Sequence, residues 1–183
     1  NNISLPSIGV GGYCLPKDPV LFSKIFMKSD GYALGKISRQ INNDNVKECF
    51  KKIIQINNRF NKILILGATF KGLPETIDLR NSPSIEISKL FKTKAKKIEF
   101  YDVKQNEIKL NYSKLDIKFV KNLKQINQFN LIILANNHPK YVEIIEGEKG
   151  IKYNKNKNKI IFDPWCLLNE DLIQKQNWKY INL

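Results

Sequence analysis

The stretch Gly9-Val10-Gly11-Gly12-Tyr13-Cys14-Leu15-Pro16-Lys17-Asp18 places a cysteine between a glycine-rich turn and a predicted helix start. Glycine carries no Cβ, so a ligand can approach such a backbone closely. Pro16 suits the first helical position, where its missing N–H has no intrahelical partner. A helix is predicted from there to about residue 28, with Leu21, Phe22, Ile25 and Phe26 on its apolar side. Cys14 would then stand just ahead of a positive helix end, with Lys17 one turn on and Asp18 inside the first turn. Both the helix end and the lysine favour thiolate, the nucleophilic form of cysteine. The other reading of these residues is a turn around a small buried hydrophobe, the commoner use of an unpaired cysteine.

A length of 183 residues suits one medium domain, or a domain with an appendage. Cys14, Cys49 and Cys166 are far apart and form no CxxC, and His138 is the one histidine, so no metal site is expected. Unpaired cysteines make a reduced, cytoplasmic protein the default. No apolar run reaches the roughly 18 residues of a membrane span. The first residues, Asn1-Asn2-Ile3-Ser4, lack both a Met and a charged-then-apolar leader, and read as a cut inside a longer polypeptide. The net charge of +14 comes almost wholly from lysine scattered among Asn and Ile. There is no basic cluster interleaved with aromatics, so nucleic acid is not the expected partner. The Lys/Asn run over residues 152–159 reads as a solvated loop.

Two kinds of element must position the cysteine loop. Ile37, Ile41, Cys49, Ile53, Ile56 and Phe60 recur at helical spacing, which predicts a helix over residues 30–58 with Cys49 on its core stripe. Such a helix spans about 40 Å, a length that more often bridges domains or packs on a twin from another subunit. From residue 62 the pattern changes to short apolar runs separated by helical stretches. Strands are predicted at 63–67, 97–102, 117–120, 131–135 and 160–163, with a further edge strand near 178–182. Helices are predicted after Ser82-Pro83 and near 141–145. Alternating strands and helices predict an α/β fold with a Rossmann-like, doubly wound parallel sheet behind the helical segment. In that architecture ligands meet the carboxyl ends of strands, here residues 67–71, Asp102, 136–138 and 163–166. Gly67-Ala68-Thr69-Phe70-Lys71-Gly72 lacks the dinucleotide glycine spacing, so a sugar nucleotide fits this half better than a whole NAD.

Several of these pieces together resemble the UDP-glucose/GDP-mannose dehydrogenase family. The cysteine loop is similar to its G-x-G-G-x-C-x-P-K-D motif, and residues 63–71 to its strand-Gly-x-x-Phe-Lys element. Asp78-Leu79-Arg80-Asn81-Ser82-Pro83 is similar to its D-x-R-x-S-P segment, and Arg39-Gln40-Ile41-Asn42 to the start of its central helix. Tyr101-Asp102 and Asn137-His138 also fall in place. The resemblance implies an N-terminal NAD domain outside this chain, a central helical dimerisation region over residues 1–60, and a Rossmann-like sugar-nucleotide domain over 61–183. It also implies a homodimer through the central helix, with neither nucleic acid nor membrane as partner.

The implied activity is oxidation of a UDP- or GDP-sugar C6 alcohol to the uronic acid with NAD, serving polysaccharide biosynthesis. A thiolate can add to the intermediate aldehyde, giving a thiohemiacetal and then a thioester. On this resemblance Cys14 is the nucleophile and Asp18 orders the hydrolytic water. Leu5, Pro6, Ser7, Ile8, Gly9, Val10 and Gly11 offer their backbone to the substrate, and Phe70 and Lys71 contact the sugar. Lys17 and Arg80 reach the NAD, where cations suit a pyrophosphate. The residues alone also allow a non-catalytic sugar-nucleotide-binding or dimerisation module of the same fold. His138 reads as a helix N-terminal residue rather than a base. The region after the last core strand, Asp163-Pro164-Trp165-Cys166, has no Arg where many members carry one, and Trp165 reads either as a stacking platform or as a hydrophobic plug.

Overall fold

The computed structural model describes residues 7–25, 30–155 and 158–183. Two helices lead the chain, α1 (Cys14–Ile25) and α2 (Asp30–Ile54). Helix α1 begins on Cys14 itself rather than at Pro16, and holds Pro19 in its interior. Residues 26–29, including Phe26 and Lys28 of the expected first helix, lie outside the described residues. Leu21, Phe22 and Ile25, expected as the apolar side of α1, are exposed.

Helix α2 ends at Ile54, four residues before the expected limit. Its apolar stripe has two fates. Val46, Cys49 and Ile53 are buried against the sheet, whereas Leu34, Ile37 and Ile41 are exposed. The same periodicity therefore serves two different surfaces along one helix.

The sheet holds five strands among the described residues: β1 (Phe60–Leu66), β2 (Ala95–Tyr101), β3 (Leu131–Leu134), β4 (Ile160–Phe162) and β5 (Lys179–Ile181). All pair in parallel, in the order β2-β1-β3-β4-β5. Helices α3 (Pro83–Phe91), α4 (Gln105–Asn111), α5 (Lys140–Glu146) and α6 (Glu170–Lys175), with a 3-10 segment at Leu123–Gln128, make the crossovers. Strand side chains alternate between two buried faces, which is why β1 and β3 read as continuous apolar runs. Ile63, Ile65, Leu131, Ile133 and Phe162 meet Val46, Cys49, Ile53, Ile87, Phe91 and Ile108 from α2, α3 and α4. Phe91 anchors this face, with its ring edge-on to Phe50 and Phe60 at 4.8 and 5.9 Å. Leu64, Leu66, Ile132, Leu134 and Ile161 meet Tyr141, Ile145, Ile173 and Trp178 on the other face. Helices on both faces make the sheet doubly wound.

The strand expected at 117–120 is reduced to a single parallel bridge, Phe100 to Phe119. Phe100 N–H donates to the Lys118 carbonyl and Val120 N–H to the Phe100 carbonyl, at 2.8 and 2.9 Å. Only Val120 of that stretch is buried, so no second face draws more of it into the ladder. The edge strand near 178–182 is β5. Helices α4 and α6 carried too few turns to register as a period in the sequence. The order β2-β1-β3-β4-β5 reverses direction between β1 and β3, and this switch point is where ligands of doubly wound sheets bind.

Candidate active site

Three asparagines hold the cysteine loop to the body of the molecule. From α2, Asn42 accepts from Val10 N–H at 2.6 Å and donates to the Val10 carbonyl at 3.0 Å. One turn on, Asn45 Nδ2 donates to the Ser7 and Ile8 carbonyls at 2.8 and 2.9 Å. From the segment between β1 and α3, Asn81 Nδ2 donates to the Gly12 carbonyl at 2.9 Å, and Gly12 N–H donates to the Arg80 carbonyl at 2.8 Å. Ile8 is wholly buried in the core on the α2 face. Gly11 is closely covered: a Cβ there would lie 2.6 Å from the Asn81 carbonyl oxygen and 2.7 Å from Phe70 Cβ. The loop is therefore laid on the segment that follows β1, and two motifs far apart in the chain become one surface.

Cys14 is exposed at the head of α1. It is the first helical residue rather than the one ahead of the helix, and Asp18 falls in the second turn rather than the first. Asp18 and Lys17 are exposed and form an ion pair at 3.3 Å. Lys17 Nζ lies 4.4 Å and Arg80 Cζ 4.6 Å from the centre of the Tyr13 ring. Arg80 forks onto Asp78, with Nε 2.9 and 3.1 Å from the two carboxylate oxygens and Nη2 at 2.7 Å. That pairing holds the Asp78 carboxyl below the usual carboxylate range and raises the guanidinium further. Beside Cys14 a cavity of about 410 Å³ opens between α1 and α2, lined by Leu15, Asp18, Pro19, Phe22, Leu34 and Ser38. Phe70 and Lys71 are half-buried at the end of β1, with Lys71 Nζ 5.3 Å from the Phe70 ring.

The structure thus lays Gly11 against Phe70, gathers Lys17 and Arg80 at the Tyr13 ring next to Cys14, and ties Ser7, Ile8 and Val10 to α2, while Asp18 pairs with Lys17 and Lys71 follows Phe70 in the chain. Leu5 and Pro6 lie outside the described residues. Asn45, Asn81 and Tyr13 had no role assigned from sequence. Their signal was weak, because asparagine on a helix or in a turn is ordinarily solvent-facing.

The switch point itself is filled by the protein's own polar groups. Asp102, at the end of β2 and fully buried, accepts from Ala68 N–H at 2.9 Å and from Thr69 N–H and Oγ1 at 3.2 and 3.1 Å. Asn136 donates to the Thr69 carbonyl at 3.2 Å. Gly67 has φ +95°, and a Cβ on it would fall 2.5 Å from Asn136 Cγ. This network shapes the turn that carries Phe70 and Lys71 outward. His138 Nδ1 accepts from Lys140 N–H at 3.1 Å, so its proton is on Nε2 and faces Glu75 at 3.1 Å. It stands at the N-terminal end of α5 and holds the Glu75 loop. After β4, Asp163 accepts from the Trp165, Leu167 and Leu168 amides and from the Tyr180 hydroxyl, at 2.8–3.1 Å. Trp165 is half-buried and packs on the α5 and α6 face of the sheet.

A model of the UDP binding domain of the UDP-glucose/GDP-mannose dehydrogenase family matches residues 64–170, more than half of the chain. The chain belongs to the UDP-glucose/GDP-mannose dehydrogenase family. It is 28% identical over 181 residues to UDP-N-acetyl-D-mannosamine dehydrogenase of Methanocaldococcus jannaschii, covering 97% of this chain and 39% of that protein. With UDP-N-acetyl-D-mannosamine dehydrogenase of Campylobacter jejuni it shares 30% identity over 159 residues, 83% of this chain and 37% of the relative. The solved structure of UDP-D-ManNAc dehydrogenase from Pyrococcus horikoshii superposes with a TM-score of 0.71 at 23% identity, over 97% of this chain and 39% of that one. The chain thus spans about two fifths of the length of these three relatives, and the part it spans holds the UDP-binding domain with the helices ahead of it. Among the described residues no helix is long and apolar enough to cross a membrane.

Proposed function

We propose that this chain is the substrate-side part of an NAD-dependent nucleotide-sugar 6-dehydrogenase acting on a UDP-sugar. The observation that carries the reading is the exposed Cys14 at the head of α1, held by Asn42, Asn45 and Asn81 against the segment bearing Phe70 and Arg80. The similarity to UDP-N-acetyl-D-mannosamine dehydrogenases favours a UDP-N-acetylhexosamine over a GDP-sugar.

In this reading the loop backbone and Phe70 seat the sugar, and the Lys71 ammonium faces the developing carboxylate. Cys14 adds its sulfur to the C6 aldehyde as a thiohemiacetal; that carbon becomes a thioester only on giving up a hydride to an acceptor, and water ordered by Asp18 then displaces the thiolate to release the uronic acid. The residues on the cofactor side suit a dinucleotide: Arg80 has one guanidinium edge on Asp78 and presents the other, with Lys17 alongside. When bound, NAD supplies the hydride acceptor. Leu21, Phe22, Ile25, Leu34, Ile37 and Ile41 leave an apolar face on α1 and α2, which suits a second copy of the chain.

Calorimetric titration with UDP-N-acetylmannosamine, UDP-glucose and GDP-mannose tests the reading. One UDP-sugar should bind, and Lys71→Ala should weaken it about tenfold or more, the usual worth of a hydrogen bond to a charged group. Heat from none of the three would refute the substrate role.

A further inference from the structure

We propose that Tyr13 is a positioning residue on the cofactor side, its ring gathering Lys17 and Arg80 into one cationic pair next to Cys14. This rests on the cofactor role proposed above for those two cations. The face of an aromatic ring is electronegative and attracts ammonium and guanidinium groups placed over it. Here both kinds meet one ring, at 4.4 and 4.6 Å from its centre.

The three groups arrive from different directions. Lys17, in the first turn of α1, reaches back to the residue just ahead of that helix. Arg80 comes from the segment after β1, brought alongside by the Gly12 N–H bond to its carbonyl. Two cations at this range repel each other. The Tyr13 ring between the chain segments, with Asp18 on one cation and Asp78 on the other, offsets that repulsion. Asp78 takes Nε and Nη2 of Arg80, so the Nη1 edge is the one turned to an incoming anion. A small residue before the cysteine would supply no such platform, and Lys17 and Arg80 would then each have to be ordered by the ligand.

The test titrates inorganic pyrophosphate into the 183-residue chain and follows Arg80 Nε and the Lys17 and Cys14 amides by heteronuclear NMR. Saturable shifts at all three are expected. Tyr13→Leu should weaken the apparent affinity about three- to tenfold, and Tyr13→Phe, which keeps the ring face, should stay within about twofold. Tyr13 is half exposed, so neither variant disturbs the core, and unchanged β1 and β3 amides verify this. Equal binding by Tyr13→Leu and the parent overturns the role of Tyr13 alone. So does a Tyr13→Phe variant as weak as Tyr13→Leu. Absence of saturable shifts at Lys17 and Arg80 in the parent removes their cofactor role, and that of Tyr13 with it.

Discussion

Replacing Asn42 with alanine removes both bonds from α2 to the Val10 peptide, at 2.6 and 3.0 Å. A neutral hydrogen bond contributes about 1 kcal/mol net, so two shielded bonds would contribute about 2 kcal/mol. Val10 is 47% exposed, and water replaces part of what is lost. That brings the expected cost to about 1–1.5 kcal/mol. For a chain of this size the melting temperature should fall by about 2–6 °C. A melting shift alone does not locate the damage, so the deciding assay is amide hydrogen exchange. Protection at Val10 should drop about tenfold, while β1 and β3 change only with global stability. Asn42→Asp keeps an acceptor for Val10 N–H but turns a second oxygen towards the Val10 carbonyl, and should be no more stable than the alanine variant. Unchanged exchange at Val10 in Asn42→Ala would refute the clamp. An aspartate variant behaving as the parent would show that the Nδ2 donor contributes nothing.

Cysteine alkylation at pH 8 should label Cys14 and Cys166 in the native chain and spare Cys49, whose thiol is pushed up to about 11 by burial; mass spectrometry should find all three modified only after denaturation. Cys166 is exposed at φ +52°, so Cys166→Gly should stabilise the fold by about 0.5–1 kcal/mol, seen as a higher urea midpoint with an unchanged slope, and a lower midpoint would contradict the strain assigned there. Hydrogen bonding from His138, then from Lys104, holds the Glu75 carboxyl below its ordinary range. The stability it contributes is therefore complete above the unfolded value of about 4.3 and lost as pH falls through the lower folded value. Glu75→Gln should melt lower than the parent near neutrality, with the gap closing under acid; a gap constant from pH 7 to 3 would count against this linkage.

The sheet was legible because its strands are buried on both faces, and Ile63-Leu64-Ile65-Leu66 or Leu131-Ile132-Ile133-Leu134 admits no other reading by composition and length. Residues 117–120 carry the same residue types, but burial at a sheet edge depends on what covers the outer face, and that is not written locally. The split of the α2 stripe escaped for the same reason: Ile41 and Cys49 share a period, and the distance to the sheet separates them. At the site, Cys14, Phe70, Lys71 and Arg80 stood out as motif residues. Their supports, Asn45, Asn81 and Tyr13, act through contacts between segments far apart in the chain, which no local pattern encodes.

The asparagine clamp has a consequence for how the thiol comes into being. Its bonds join residues 32 and 69 positions apart in the chain, so none of them exists within the motif taken alone. Loop-closure entropy delays such contacts relative to local helix formation. A growing chain that ends before Arg80 has already made the whole glycine-cysteine motif, yet lacks the Arg80 carbonyl and the Asn81 side chain that seat Gly12. The setting of the thiol is a property of the completed fold, acquired only when the first strand and the turn after it have been made.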